Sequence, residues 1–127
     1  MRRTARNGDE KWILLVLLLR LVGDFRKILK PLRVTPSQAG VLLFLRRHAD
    51  ANVTDAATAL DVSQATLSGT VTTLVRRQWV ANRRSAKDDR VVALSLSRRG
   101  NALALQINQR VRQVNGPLAQ YTIEPSA

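Results

Sequence analysis

The 127-residue chain has no cysteine, one histidine (His48) and two glutamates. Without cysteine there is no disulfide framework, no thiol redox switch and no thiolate ligand for zinc. A Ser-His-Asp triad would have to recruit His48 from "FLRRHAD", a stretch with no nucleophile signature. His48 therefore reads as a polar residue closing a helix, and the chain as a non-enzyme with no catalytic residue, cofactor or metal. Aromatic residues are scarce at 4%, which leaves Leu, Val and Ala to build the interior, a composition that favours helices. Acidic residues are the third shortage: nine Asp and Glu stand against 21 Lys and Arg, a net charge of +12.

A charge of that size attracts polyanions from a distance. Most of the basic residues are arginine, whose planar fork suits phosphate and base edges better than lysine does. Nucleic acid is the first partner expected, an anionic membrane surface the second, and a merely basic soluble protein the third. The length suits one domain, and 45% apolar residues suit a packed core rather than disorder.

The start, "MRRTARNGDEKWILLVLLLRLVG", superficially resembles an export signal. Asp9, Glu10 and Lys11 nevertheless separate the basic residues from the apolar run, and Arg20 ends it without a small-residue cleavage site. The run from Trp12 to Leu19 is also too short to span a bilayer. A cytoplasmic location is expected, with no membrane span.

Nothing except Gly23 weakens a helix between Asp9 and about Leu29, and Pro31 closes it. Trp12 to Leu19 is apolar on every side of the wheel, so this helix must be buried all round. In so short a protein the second cover is expected from another copy of the chain. In "VTPSQAGVLLFLRRHAD", Thr35 is a good N-cap, Pro36 suits the first helical position and Gln38 completes a capping box. That helix runs to about His48. Two further starts follow: Thr54 is expected to cap Asp55 to Leu60, and Ser63 to cap Gln64 to Arg77 after the turn "DVS".

Two helices, a three-residue turn and apolar Ala57, Leu60, Val62, Leu67, Val71 and Leu74 form a helix-turn-helix pattern. Ala57 is small where the helices approach, and Val62 is expected to fill the corner. Ser63, Gln64, Thr66, Ser68, Gly69, Thr70 and Thr73 remain for the outer and end faces. The period then changes. "WVANRR" and "VVALSLS", joined by "SAKDD", predict a β-hairpin. Ser97 can cap a last helix whose stripe is Leu103, Ile107, Val111 and Val114, ending at Gly116-Pro117.

A helix-turn-helix followed by a hairpin is the winged-helix arrangement. No acidic residue falls between Asp61 and Asp88, while Arg76, Arg77, Arg83, Arg84 and Lys87 do. Gln64 is the best candidate base reader, because its amide can pair with adenine. Thr66 and Thr70 suit a thymine methyl or a phosphate, and Ser68 and Thr73 share their surface. Ser63 has a competing role as the cap.

The stretch "LDVSQATLSGTVTTLVRRQWVANRRSAKDDRVVALSLSRRG" resembles the core of the MarR family of winged-helix transcriptional regulators. That pattern runs from the turn through a Thr-Val recognition helix to an Asp-x-Arg wing tip, here Asp88-Asp89-Arg90, and closes on Leu96-Ser97-Arg98-Arg99-Gly100. "VTPSQAGVLLFL" is similar to the family's second helix, so the resemblance extends from Asp9 to Val114.

The resemblance implies a mainly α fold with a small β-hairpin, forming one domain over 1–127. Residues 9–30 and 98–116 would be dimerisation helices and 35–97 the winged helix-turn-helix lobe, with recognition helix 63–77 and wing 79–96. It further implies a homodimeric, sequence-specific regulator of double-stranded DNA, a repressor working at the bacterial nucleoid and responsive to a small aromatic or anionic effector. Arg90 would enter a minor groove, with Asp88 holding its guanidinium; fixing a free arginine costs roughly 2 kcal/mol of rotamer entropy, and narrow grooves attract arginine without a base code. Asp89 is expected to be solvated.

Three departures stand out. Gln78 occupies a position where members commonly carry a left-handed glycine, so it must adopt that conformation or end the helix differently. Gly69 replaces a larger polar residue. The chain after Pro117 is shorter than the family's usual additional helix, so the resemblance does not specify how the dimer interface is completed. Two other readings compete with a specific regulator: a nonspecific architectural DNA-binding protein, and a membrane-surface module using "WILLVLLLRLV".

Overall fold

A computed structural model describes residues 7–88 and 90–114. The elements are α1 (Asn7–Leu29), a 3₁₀ turn (Lys30–Leu32), α2 (Pro36–Arg47), α3 (Val53–Leu60), α4 (Gln64–Arg76), β1 (Val80–Arg84), β2 (Val92–Leu96) and α5 (Arg98–Arg112). Helix α1 runs unbroken through Gly23, and the turn at Pro31 ends it.

Helix α2 starts as its sequence dictates. Thr35 Oγ1 accepts from the Gln38 N–H at 3.1 Å, and Gln38 Oε1 accepts from the Thr35 N–H at 3.1 Å. At its other end the His48 N–H donates to the Phe44 carbonyl, and the imidazole stacks on the Phe44 ring at 4.4 Å. His48 thus closes the helix.

Helix α3 begins two residues before the expected Asp55. Asn52, not Thr54, is the cap: its Oδ1 accepts from the Asp55 N–H at 2.8 Å, and Asp55 Oδ2 accepts from the Asn52 N–H at 3.0 Å. Thr54 as cap would place Ala57 at the third helical position, where no side chain can return the bond. Asp61 in a left-handed conformation (φ 56°) then turns the chain into α4.

The helix-turn-helix buries Ala57, Leu67, Val71 and Leu74. Val62 departs from expectation. Its N–H bonds the Ala57 carbonyl at 3.0 Å, and its side chain is 38% exposed rather than filling the corner. It lies on the lining of a groove of about 240 Å³ with Pro36, Gly40, Leu60, Thr66 and Thr70.

Helix α4 ends on a Schellman motif in which glutamine takes the place of glycine. Gln78 has φ 66°, its N–H bonds the Val75 carbonyl at 2.9 Å, and the Trp79 N–H reaches the Leu74 carbonyl at 3.0 Å. Strands β1 and β2 pair antiparallel from Val80↔Leu96 to Arg84↔Val92. The α2–α3 loop adds a short third edge, since the Leu94 N–H donates to the Ala51 carbonyl at 2.7 Å.

Ser97 caps α5 by accepting from the Gly100 N–H at 3.0 Å, while its hydroxyl donates to the Gln78 carbonyl at 2.7 Å. A Cβ at Gly100 would lie 1.9 Å from the Trp79 carbonyl oxygen, so only glycine fits where α5 crosses the start of β1. Leu103, Ile107 and Val114 are buried and Val111 is half-buried, as the stripe predicts; Gly116-Pro117 lies outside the described residues.

One core joins Leu29, Val41, Leu42, Leu67, Leu74, Leu94 and Ile107. The apolar run of α1 stands outside it. Trp12 is 64% exposed, Leu14 67% and Leu19 61%, so no part of the described chain covers that face. Among the described residues no helix is long and apolar enough to cross a membrane.

Candidate nucleic-acid interface

Burying Leu67, Val71 and Leu74 turns the opposite side of α4 to the surface. Gln64, Thr66, Ser68 and Gly69 are exposed there, and Thr70 and Thr73 are half-buried. The hydroxyls are mostly occupied by the helix itself. Ser63 Oγ accepts from the Thr66 N–H at 3.0 Å and donates to Thr66 Oγ1 at 2.9 Å. Thr70 donates to the Thr66 carbonyl at 3.2 Å, Thr72 to that of Ser68 at 2.9 Å, and Thr73 to that of Gly69 at 3.3 Å.

A phosphate accepts hydrogen bonds and never donates them. A threonine whose proton is already committed can therefore offer a neighbour only its methyl group and lone pairs. Among the described residues the side chains of Gln64 and Ser68 make no hydrogen bond, and Gln64 carries two donors and an acceptor. The structure thus separates two groups within the predicted set. Ser63 is first of all a cap, whereas Gln64 and Ser68 have unused polar capacity.

The basic residues also sort by environment. Arg76, in the last turn of α4, is exposed and makes no ion pair among the described residues. Arg77 is packed: it donates from NH1 to the Arg33 carbonyl at 2.6 Å, and its guanidinium lies 4.4 Å from the centre of the Trp79 ring. Arg83 is paired with Asp50 at 3.3 Å and also donates to the Arg84 carbonyl at 3.1 Å. Its charge is therefore largely answered within the chain. Arg84 and Lys87 are exposed on β1 and on the loop after it.

At the hairpin tip, Arg90 Nε meets Asp88 Oδ1 at 3.1 Å and NH2 meets Oδ2 at 3.2 Å. The Arg90 N–H also donates to Oδ1 at 3.1 Å, so one carboxylate fixes both the backbone and the guanidinium. The Arg90 side chain is 87% exposed. Exposed ion pairs add little stability, so this bidentate clamp orients the arginine far more than it holds the fold together. The guanidinium keeps the Asp88 carboxyl below its ordinary value, with help from the Arg90 N–H. Asp89 lies outside the described residues.

A residue that the sequence did not single out holds this hairpin where β1 runs into the tip loop. Asp50, in the α2–α3 loop, accepts from Ser85 Oγ at 2.5 Å and from the Ala86 N–H at 2.8 Å. The Ser85 hydroxyl is the largest cause of its lowered carboxyl pKa, followed by the Ala86 N–H. Ser85 Oγ in turn accepts from the N–H groups of Lys87 at 3.1 Å and Asp88 at 3.4 Å. No local pattern could have marked Asp50, because its partners lie 35 and 36 positions away.

Comparison with known proteins agrees with this geometry. The sequence model of the MarR family matches residues 34–91. No curated protein matches the sequence. Among solved structures, CouR from Rhodococcus jostii RHA1, bound to p-coumaroyl-CoA, superposes with a TM-score of 0.85 at 20% identity, over 96% of this chain and 86% of that one. A cysteine-to-serine mutant of MarR from E. coli, complexed with operator DNA, gives 0.78 at 23% identity, over 90% and 82%. MepR from S. aureus, in its DNA complex, gives 0.79 at 19% identity, over 90% and 85%. The chain thus shares the mainly helical fold with a two-stranded wing of these structures, and its residues 34–91 match the MarR family's sequence model.

Proposed function

We propose that the protein is a homodimeric, sequence-specific DNA-binding transcriptional regulator, a repressor in its simplest mode of action. The observation that carries this reading is Arg90, exposed at the wing tip with its guanidinium fixed by Asp88 before any partner arrives. The recognition helix packs against β1 of the same wing, with Gln64 free to meet base edges in a major groove. Arg76, Arg84 and Lys87 add positive charge for the phosphate backbone.

The uncovered apolar face of α1 supports the dimer. Fully burying a large aliphatic side chain is worth about 1.5–3 kcal/mol, and seven of the eight residues from Trp12 to Leu19 are large, apolar and at least 43% exposed. A second copy of the chain would cover them and bring two lobes onto a pseudo-palindromic site. The DNA complexes of the MarR mutant and of MepR favour duplex DNA as the partner. The CouR complex with p-coumaroyl-CoA favours an aromatic or anionic effector that releases it.

Footprinting upstream of the protein's own gene tests the reading. Two protected half-sites about 10 bp apart, centre to centre, are expected, with affinity falling by a log–log salt slope of about −0.9 per phosphate neutralised. A second reading, a nonspecific architectural protein, is favoured by the α4 hydroxyls that turn back onto their own helix. A ratio of operator to scrambled-duplex affinity below about tenfold would decide for it, since specific regulators exceed about 10³.

A further inference from the structure

We propose that Asp50 is the positioning residue of the wing: from outside the hairpin, its carboxylate sets the direction in which the wing tip, and therefore Arg90, points. This rests on the reading of the wing as a DNA contact. A two-stranded hairpin with five-residue strands is marginal by itself, and the tip beyond β1 needs an external anchor to keep one orientation. Among the described residues, every hydrogen bond that reaches positions 85–88 or 90 from outside the hairpin ends on Asp50.

The geometry of the anchor is specific. Asp50 sits in the left-handed region (φ 68°), which Asp tolerates better than most residues, and its side chain is only 12% exposed. Oδ2 accepts from Ser85 Oγ, and Oδ1 receives the Ala86 N–H and the Arg83 guanidinium. The next carbonyl, that of Ala51, accepts from Leu94 in β2, so one loop grips both strands. From Ser85 Oγ the hydrogen bonds continue to the Asp88 N–H, and the Asp88 carboxylate holds Arg90. An unbroken chain of contacts thus joins the α2–α3 loop to the exposed guanidinium.

Electrostatics and positioning make opposite predictions for this residue. Removing a carboxylate beside Arg83 raises the local positive charge, and charge alone would tighten binding to any duplex. Loss of the anchor weakens binding only where the wing must be aimed. The test uses the full chain carrying Asp50→Ala, with Ser85→Ala as a second variant that cuts the same link without changing charge. Binding to the operator and to a scrambled duplex is read by fluorescence anisotropy, and wing motion by ¹⁵N relaxation without DNA.

Both variants should lose about tenfold in operator affinity, the scale of one lost wing contact, with scrambled-duplex binding unchanged or tighter. Combining Asp50→Ala with Arg90→Ala should weaken binding less than the two single losses multiplied. Amide order parameters at Ala86, Lys87 and Arg90 should fall in both variants. Parent-like operator affinity, fully additive losses, or parent-like order parameters would each overturn the proposal. If the parent itself fails to distinguish operator from scrambled DNA, the regulator reading fails instead, and the wing order parameters alone decide whether Asp50 is the anchor.

Discussion

Gly100 and Trp79 meet so closely that a Cβ on residue 100 would stand 1.9 Å from the Trp79 carbonyl oxygen. That oxygen also accepts the Ser97 N–H at 3.0 Å, so the first turn of α5 is seated on the entrance to the wing. The Leu-Ser-x-x-Gly ending thereby has a physical meaning: serine caps the helix and glycine makes room for the strand. Gly100→Ala should destabilise the fold by about 3 kcal/mol, the upper part of the overpacking range. Urea unfolding at fixed protomer concentration measures this, and a loss below about 0.5 kcal/mol would contradict the contact.

Gln78 carries the opposite expectation. It holds a left-handed conformation that costs a residue with a side chain roughly 1–2 kcal/mol. Its side chain returns only an exposed hydrogen bond, from Arg99 NH1 to Oε1 at 3.2 Å. Gln78→Gly should therefore stabilise the protein by about 1 kcal/mol, visible as a raised urea midpoint with an unchanged slope. A lower midpoint would show that the Arg99 contact outweighs the backbone cost.

The starts of α2, α4 and α5 are legible in the sequence because their caps are written locally, in Thr35 with Gln38, Ser63 and Ser97. The strands fall within one residue of expectation for a similar reason, since alternation and the "SAKDD" turn are short-range signals. The start of α3 is not legible in the same way, because two acceptable caps stand two residues apart and the reciprocal partner Asp55 decides for Asn52. Val62 lies shallower than expected because apolar spacing indicates a side chain's face but not how deep the turn sets it. The Asp88–Arg90 clamp joins residues two apart and can be read in advance; the anchor at Asp50 is a tertiary contact and cannot.

The face of α1 gives a prediction about assembly. Leu14 and Leu18 lie one helical turn apart and are 67% and 53% exposed in the single chain. Leu14→Lys with Leu18→Lys should leave the lobe folded and convert a dimer into a monomer, as read by sedimentation or light scattering. A parent that is monomeric, or a double variant that stays dimeric at micromolar concentration, would contradict the proposed interface.

The clamp also predicts a pH response. A carboxyl whose folded pKa is depressed contributes above its unfolded value, and that contribution is lost as pH falls through the folded value. Asp88 is held below 3.8, so the clamp should be complete at neutral and mildly acidic pH and open only in stronger acid. Following the Asp88 carboxyl carbon by NMR should give a midpoint below 3.8 in the parent, moving up toward 3.8 in Arg90→Ala. A parent midpoint above 3.8 would mean that the pair does not persist in solution.

A pre-oriented Arg90 should help this protein hold one DNA sequence more tightly than others. The most direct measurement is the affinity of the parent and of Arg90→Ala for the footprinted operator, at a single stated salt concentration. A loss of about 1–3 kcal/mol is predicted, with the two proteins much closer on a scrambled duplex. If Arg90→Ala binds the operator like the parent, the wing tip does not touch DNA.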